Sequence, residues 1–161
     1  MRALPSLILC LFLAARGTAL PAQQPTTNGP VRASGPLADT LRAFATDMVA
    51  RLRALDANGV IRLYGDTTRF VHVDNGVVIP WGELSRMMRT FFATAKSNPV
   101  EVVGEPDVML IDRNTAVVYA THRFAGTAEI PAHQGVWTGV LRRGADGWRV
   151  EHSHSSDRPP K

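Results

Sequence analysis

From Pro36 onward the chain switches between two hydrophobic periods, and the switches mark its elements. Leu37, Leu41, Phe44, Met48, Leu52 and Leu55 recur at spacings of three and four, which puts all six on one helical face and predicts an amphipathic helix over residues 37–56. Ser34 and Pro36 suit its start. Asn58-Gly59 is expected to interrupt it, with Val60, Ile61, Leu63 and Tyr64 forming a short apolar helix or turn. The period then becomes two. Arg69 to Asp74 reads as a strand, Asp74-Asn75-Gly76 as a tight turn and Val77 to Ile79 as the return strand. Pro80 opens a second amphipathic helix, with Leu84, Met87, Met88, Phe91, Phe92 and Ala95 on one face. After Asn98-Pro99 the pattern is all β: Val100 to Ile111, Ala116 to Gly126, Gln134 to Arg143 and Trp148 to Ser155, with turns at Asp112-Arg113-Asn114 and Gly144-Ala145-Asp146-Gly147.

This order lacks the strand-helix-strand alternation of a doubly wound parallel sheet. Each helix has one apolar stripe to bury and the sheet has one apolar face to offer. The expected fold is α+β, a curved antiparallel sheet wrapped over about three helices, cone-shaped with an internal pocket.

The N-terminal residues stand apart from that pattern. Arg2, the apolar run Leu7 to Ala15 and the small residues Gly17, Thr18, Ala19 and Ala22 form the three parts of a secretion signal. The run falls short of the roughly 20 residues that span a bilayer, so no membrane span is expected in the mature chain. The predicted organisation is a signal peptide over 1–22, cleaved after Ala19 or Ala22, a flexible linker over 23–35, one domain over 36–156 and a disordered tail over 157–161. The protein is expected to be exported, to the periplasm or beyond. Cys10, the one cysteine, would leave with the signal, and a lipid anchor on it is disfavoured by the bulky Leu9 before it. Loss of Arg2 and Arg16 also lowers the formal charge from +4 to +2. That mild balance, without a basic block or interleaved aromatics, argues against a nucleic-acid partner.

Candidate chemistry rests on histidines. Strand alternation places Trp148, Val150, His152 and His154 on one face of the last strand and Arg149, Glu151 and Ser153 on the other; the apolar members point the first set toward the pocket. On the first strand, parity leaves Thr68, Phe70, His72 and Asp74 against Arg69, Val71 and Val73, with apolar residues in both sets. His152 and His154, with His72 or His122 as a third ligand, have a spacing that permits a zinc or iron site, but no metal and no cofactor is expected. Nucleophile elbows, phosphate-binding glycine loops, His-Glu-x-x-His helices and EF-hand loops do not occur.

Leu63-Tyr64-Gly65-Asp66, the strand Arg69 to Asp74 with its glycine turn, Gly82-Glu83-Leu84, and above all the ending Gly147-Trp148-Arg149-Val150-Glu151-His152-Ser153-His154-Ser155-Ser156 resemble the SnoaL-like branch of the nuclear transport factor 2-like superfamily, close to the group called domain of unknown function 4440. The resemblance implies a cone-shaped pocket and leaves the reaction open, since relatives include ketosteroid isomerases, a polyketide cyclase, scytalone dehydratase and limonene epoxide hydrolase. Alignment of Leu63-Tyr64 puts His72 where ketosteroid isomerases carry their general-base aspartate. Met48 falls near their oxyanion-hole tyrosine, so steroid isomerisation is not expected. The candidate catalytic residues are His72, His154 and His152, and the expected pocket lining is Tyr64, Phe70, Trp81, Met88, Phe92, His122, Trp137 and Trp148. The functional expectation is a small hydrophobic ligand with cofactor-free histidine acid/base chemistry of isomerase, dehydratase or cyclase type. The competing expectation is a non-catalytic interaction domain that homodimerises through the open sheet face.

Overall fold

The structure, a computed structural model, describes residues 33–128 and 130–158. The expected signal peptide, most of the linker and residues 159–161 lie outside the described residues.

Helix α1 (Pro36–Arg53) starts where the fixed φ of Pro36 follows Gly35, and its buried line is Ala38, Leu41, Ala45 and Met48. The small alanines bring the helix axis close to the sheet, while Leu37 and Phe44 pack at the flanks of the core. Arg42 ties this helix to the loop at Glu105. It meets Asp39 at 3.0 Å and Glu105 at 3.1 Å, and donates to the Ala33 carbonyl at 2.6 Å. Ala33, assigned to the linker by composition, is therefore part of the folded unit, and its amide donates to the Val108 carbonyl.

The break after α1 falls at Leu55 (φ 56°) rather than at Asn58-Gly59. Asp56 then caps α2 (Ala57–Ile61) by accepting from the Gly59 amide at 2.8 Å. A Cβ on Gly59 would lie 1.9 Å from the Asp56 carboxylate, so this glycine permits the cap and sits inside the helix. Strands β1 (Val71–Asp74) and β2 (Val77–Pro80) form the expected hairpin, with Asn75 and Gly76 both at positive φ as a type I′ turn requires. Helix α3 (Trp81–Thr94) follows. The single strand expected over 100–111 is two strands, β3 (Val100–Val102) and β4 (Asp107–Leu110), parted by Gly104 (φ 77°) and Pro106.

Strands β5 (Thr115–Phe124), β6 (His133–Gly144) and β7 (Gly147–Arg158) are the long meander. The sheet order is β2-β1-β7-β6-β5-β3, with β4 also on β5. All pairings between these strands are antiparallel except β1 with β7, which is parallel; there the early hairpin joins the edge of the last strand. β7 runs to Arg158, past the expected domain end at Ser156, because Asp157 and Arg158 pair with Gly135 and Gln134. The core under α1 joins Val108, Ala116, Val118, Leu141 and Trp148. No helix among the described residues is long and apolar enough to cross a membrane.

Candidate functional site in the cone

One irregularity in β7 decides what enters the cone. β6 pairs Val140 with His152 and Leu141 with Val150, so Glu151 is an extra residue, a β-bulge. A bulge shifts side-chain parity by one. Trp148 and Val150 face the core before it, and Ser153, Ser155 and Asp157 face the same side after it. The segment Leu63–Gly65 docks at this point: Gly65 donates to the Val150 carbonyl at 2.9 Å, and the Val150 amide donates to Leu63 at 2.8 Å. A Cβ on Gly65 would meet the Glu151 carboxylate at 2.3 Å, so glycine leaves room for the bulged side chain.

The concave face consequently presents His72 beside Ser153, and Ala120, Trp137 and Ser155 in the next row. Cross-strand partners share a face. Together with Ala45, Met48, Val49 and Leu52 of α1, Val60, Tyr64, Leu84, Val100, Val102 and His122, these residues enclose a cavity of about 230 Å³. Gly139 makes room for one of the lining side chains. A Cβ there would be 2.3 Å from the Trp137 ring, which lies over this glycine.

At one end of the cavity three side chains are linked. His72 Nδ1 lies 2.8 Å from the hydroxyl of Ser153, and Tyr64 hydrogen-bonds the same serine. Ser153 is fully buried. Burial lowers the pKa of His72 below 6.5, with the like charges of His152 and His154 acting the same way and Asp74 and the Ser153 backbone opposing. Burial also pushes the Tyr64 phenol up to about 12, against the Ser153 hydrogen bond. At neutral pH the site therefore holds a neutral imidazole and a protonated phenol, a base and an acid joined through one hydroxyl. Tyr64 is positioned by aromatic packing, with ring centroids 4.9 Å from Phe70 and 5.0 Å from Trp81.

Of the expected residues, His72, Tyr64, His122 and Trp137 line this cavity. Phe70 and Trp81 instead form the aromatic support behind Tyr64, and Trp148 belongs to the core under α1. Met88 and Phe92 lie on α3, which buries no residue fully and sends Leu84 to the cavity. His152 and His154 pair with Val71 and Val73 and so sit on the convex face, because the bulge at Glu151 reverses the parity used to point them inward. Ser153 and Ser155, the residues parity reasoning missed, take that place.

A curved sheet closed by three helices over an interior cavity defines the cone class of α+β domains. The profile of the SnoaL-like domain matches residues 41–160, and the chain belongs to that family. No curated protein sequence matches it. Among solved structures it is similar to a provisionally named dehydratase of the NTF2-like family from Streptomyces avermitilis, at 20% identity, TM-score 0.63, covering 78% of this chain and 100% of that one. It is also similar to an NTF2-like protein of unknown function from Shewanella oneidensis (15% identity, TM-score 0.61, 76% and 100% covered). A ketosteroid isomerase-like protein from Erwinia carotovora gives 20% identity, TM-score 0.56 and 73% and 93% coverage. These likenesses show a shared fold.

Proposed function

We propose that the chain binds a small, largely apolar molecule in the cone and moves a proton on it without a cofactor, with His72 as the base. The observation that carries this reading is the His72–Ser153–Tyr64 link at the wall of a largely apolar cavity. With Nδ1–H donating to Ser153, neutral His72 keeps a basic lone pair on Nε2. When Nε2 takes a proton from a carbon acid, the imidazolium gains a charge-assisted bond to Ser153, and Tyr64 supplies a neutral donor for the oxygen on which charge develops. The cavity of about 230 Å³ is smaller than the roughly 300–1,000 Å³ of drug-sized sites, which favours substrates of one or two rings over a steroid. Proton transfer of this kind is common to isomerases, dehydratases and cyclases.

The test is deuterium exchange into a panel of mono- and bicyclic ketones in D₂O, followed by NMR. Exchange faster than buffer, abolished by His72→Ala and retained in His154→Ala on the convex face, supports the reading. Exchange equal to buffer across the panel, or indifferent to His72→Ala, overturns it. We further infer that the chain works outside the cytoplasm, on the strength of Arg2 and the apolar run Leu7 to Ala15; a processed N-terminus on protein recovered from the periplasm or medium tests this.

A second reading, homodimerisation, is favoured by the convex face. Val117, Val140, His152 and Val71 form one row across it, and Tyr119, Thr138, His154 and Val73 the next. Val136 on the same face is 38% exposed. A sheet apolar on both faces needs two covers. Sedimentation velocity at micromolar concentration should give a dimer that Val140→Glu dissociates; a wild-type monomer would count against the reading.

A further inference from the structure

The concave face carries a second polar cluster that proton transfer at His72 does not use. His122, Gly135 and Asp157 form one row across β5, β6 and β7. The outer two residues stand two strand spacings apart, about 9.6 Å, so their side chains can meet only if the middle residue gives way. Gly135 does. A Cβ there would lie 2.3 Å from Asp157 Oδ1, and over the bare backbone His122 Nε2 and Asp157 Oδ1 close to 2.8 Å. His133, two residues before Gly135 on the same strand face, completes a trio. One ligating atom from each of His122, His133 and Asp157 lies within 4.8 Å of the others.

Two of the three members are held from behind. His133 Nδ1–H donates to the Pro131 carbonyl at 3.0 Å, which fixes the tautomer and leaves the lone pair on Nε2. Its ring stacks on Phe124 with centroids 4.8 Å apart and planes 19° apart. The Asp157 amide donates to Asn75 Oδ1 at 2.8 Å, anchoring that residue to the β1–β2 turn. A backbone carbonyl on the distal nitrogen of a histidine is the outer support that orients ligating imidazoles.

We propose that His122, His133 and Asp157 bind one divalent cation of the zinc type. Two imidazoles and one carboxylate suit zinc and its late first-row neighbours; calcium and magnesium call for more oxygen donors. The cation takes the place of the Nε2 proton that His122 now shares with Asp157, and that proton leaves to solvent. Three protein ligands leave a coordination position for water or for a donor atom of a bound molecule. His122 also lines the cavity, so that position borders the space His72 borders, two rows further along the strands. The site stands independently of the proton-transfer reading.

The experiment is calorimetric titration of the tag-free, chelator-treated chain with Zn²⁺, with the visible bands of Co²⁺ as a coordination probe. One site per chain with micromolar or tighter affinity is expected. His133→Gln and Asp157→Asn should each weaken it at least tenfold and remove the Co²⁺ bands, with the circular dichroism of both variants native. His154→Ala on the convex face should leave it unchanged. No binding at several hundred micromolar Zn²⁺, or equal affinity in His133→Gln and wild type, overturns the proposal.

Discussion

Replacing Ser153 with alanine tests the polar link without changing the shape of the wall. The side chain is fully buried and its hydroxyl serves both His72 Nδ1, at 2.8 Å, and Tyr64. Removing it deletes two hydrogen bonds, each with a net contribution of about 1 kcal/mol, and leaves two buried polar atoms without a partner, each costing about 1–3 kcal/mol if unsolvated. The neighbouring cavity can admit water to part of that gap, so the lower half of the range applies and the expected loss is about 2 kcal/mol. With a urea slope of about 2 kcal/mol per molar, the midpoint should fall by about 1 M at constant slope. The Tyr64→Phe and Ser153→Ala double mutant sharpens the inference. Once the phenol hydroxyl is gone, alanine at 153 orphans one group fewer, so the combined loss should fall short of the sum by at least about 0.5 kcal/mol. A midpoint shift below about 0.3 M together with strict additivity would show that the three side chains are neighbours and nothing more.

Three further outcomes follow from the same geometry. Because burial holds His72 below its ordinary pKa, the unfolded chain binds a proton that the folded chain lacks from that lowered value up to pH 6.5; stability should rise with pH across this window, and urea melts at pH 5 and 7.5 should differ less in His72→Gln than in wild type. The Tyr64 phenol at about 12 means that the folded chain keeps a proton the unfolded chain loses from pH 10, so stability falls as pH climbs from 10 to 12, and an ultraviolet titration of the native fold should lose a phenolate step near pH 12 in Tyr64→Phe. Gly139→Ala puts a methyl 2.3 Å from the Trp137 ring and should cost about 1–3 kcal/mol while shifting tryptophan emission as the ring is pushed off the sheet; unchanged emission and stability would contradict the placement of that ring.

Periodicity read the two long helices and the turns closely, because α1 and α3 each repeat an apolar position for at least three turns and Asn75-Gly76 can serve little else. The resemblance supplied His72, which local parity left undecided between two faces. What periodicity lacked was information held in pairings between distant segments. Parallel pairing of β1 with β7 joins residues some eighty positions apart, and no local pattern encodes it. The break of α1 at Leu55 depends on an aspartate cap whose fit requires Gly59, so the glycine signal was real and was assigned to the wrong event.

The misplacement of His152 and His154 shows how one residue redistributes a site. Alternation from Trp148 and Val150 carries both histidines inward if β7 is regular. Glu151 makes it irregular, and Gly65, more than eighty positions earlier in the chain and outside any local window, leaves room for its side chain: a Cβ there would lie 2.3 Å from the Glu151 carboxylate. The exchange puts Ser153 under His72 and Ser155 beside Trp137, and it brings Asp157 onto the row of His122. A regular β7 would instead have presented His152 and His154 to the cone and turned Asp157 to the convex face. The linked base at His72 and the histidine-carboxylate cluster at His122 therefore share one structural origin. Gly65→Ala, which drives a methyl into the Glu151 carboxylate, should disturb both sites together, and NMR of the imidazoles of His72 and His122 should report the two changes in one variant. A change at His72 with His122 unmoved would mean that the strand beyond the bulge holds its register without help from Gly65.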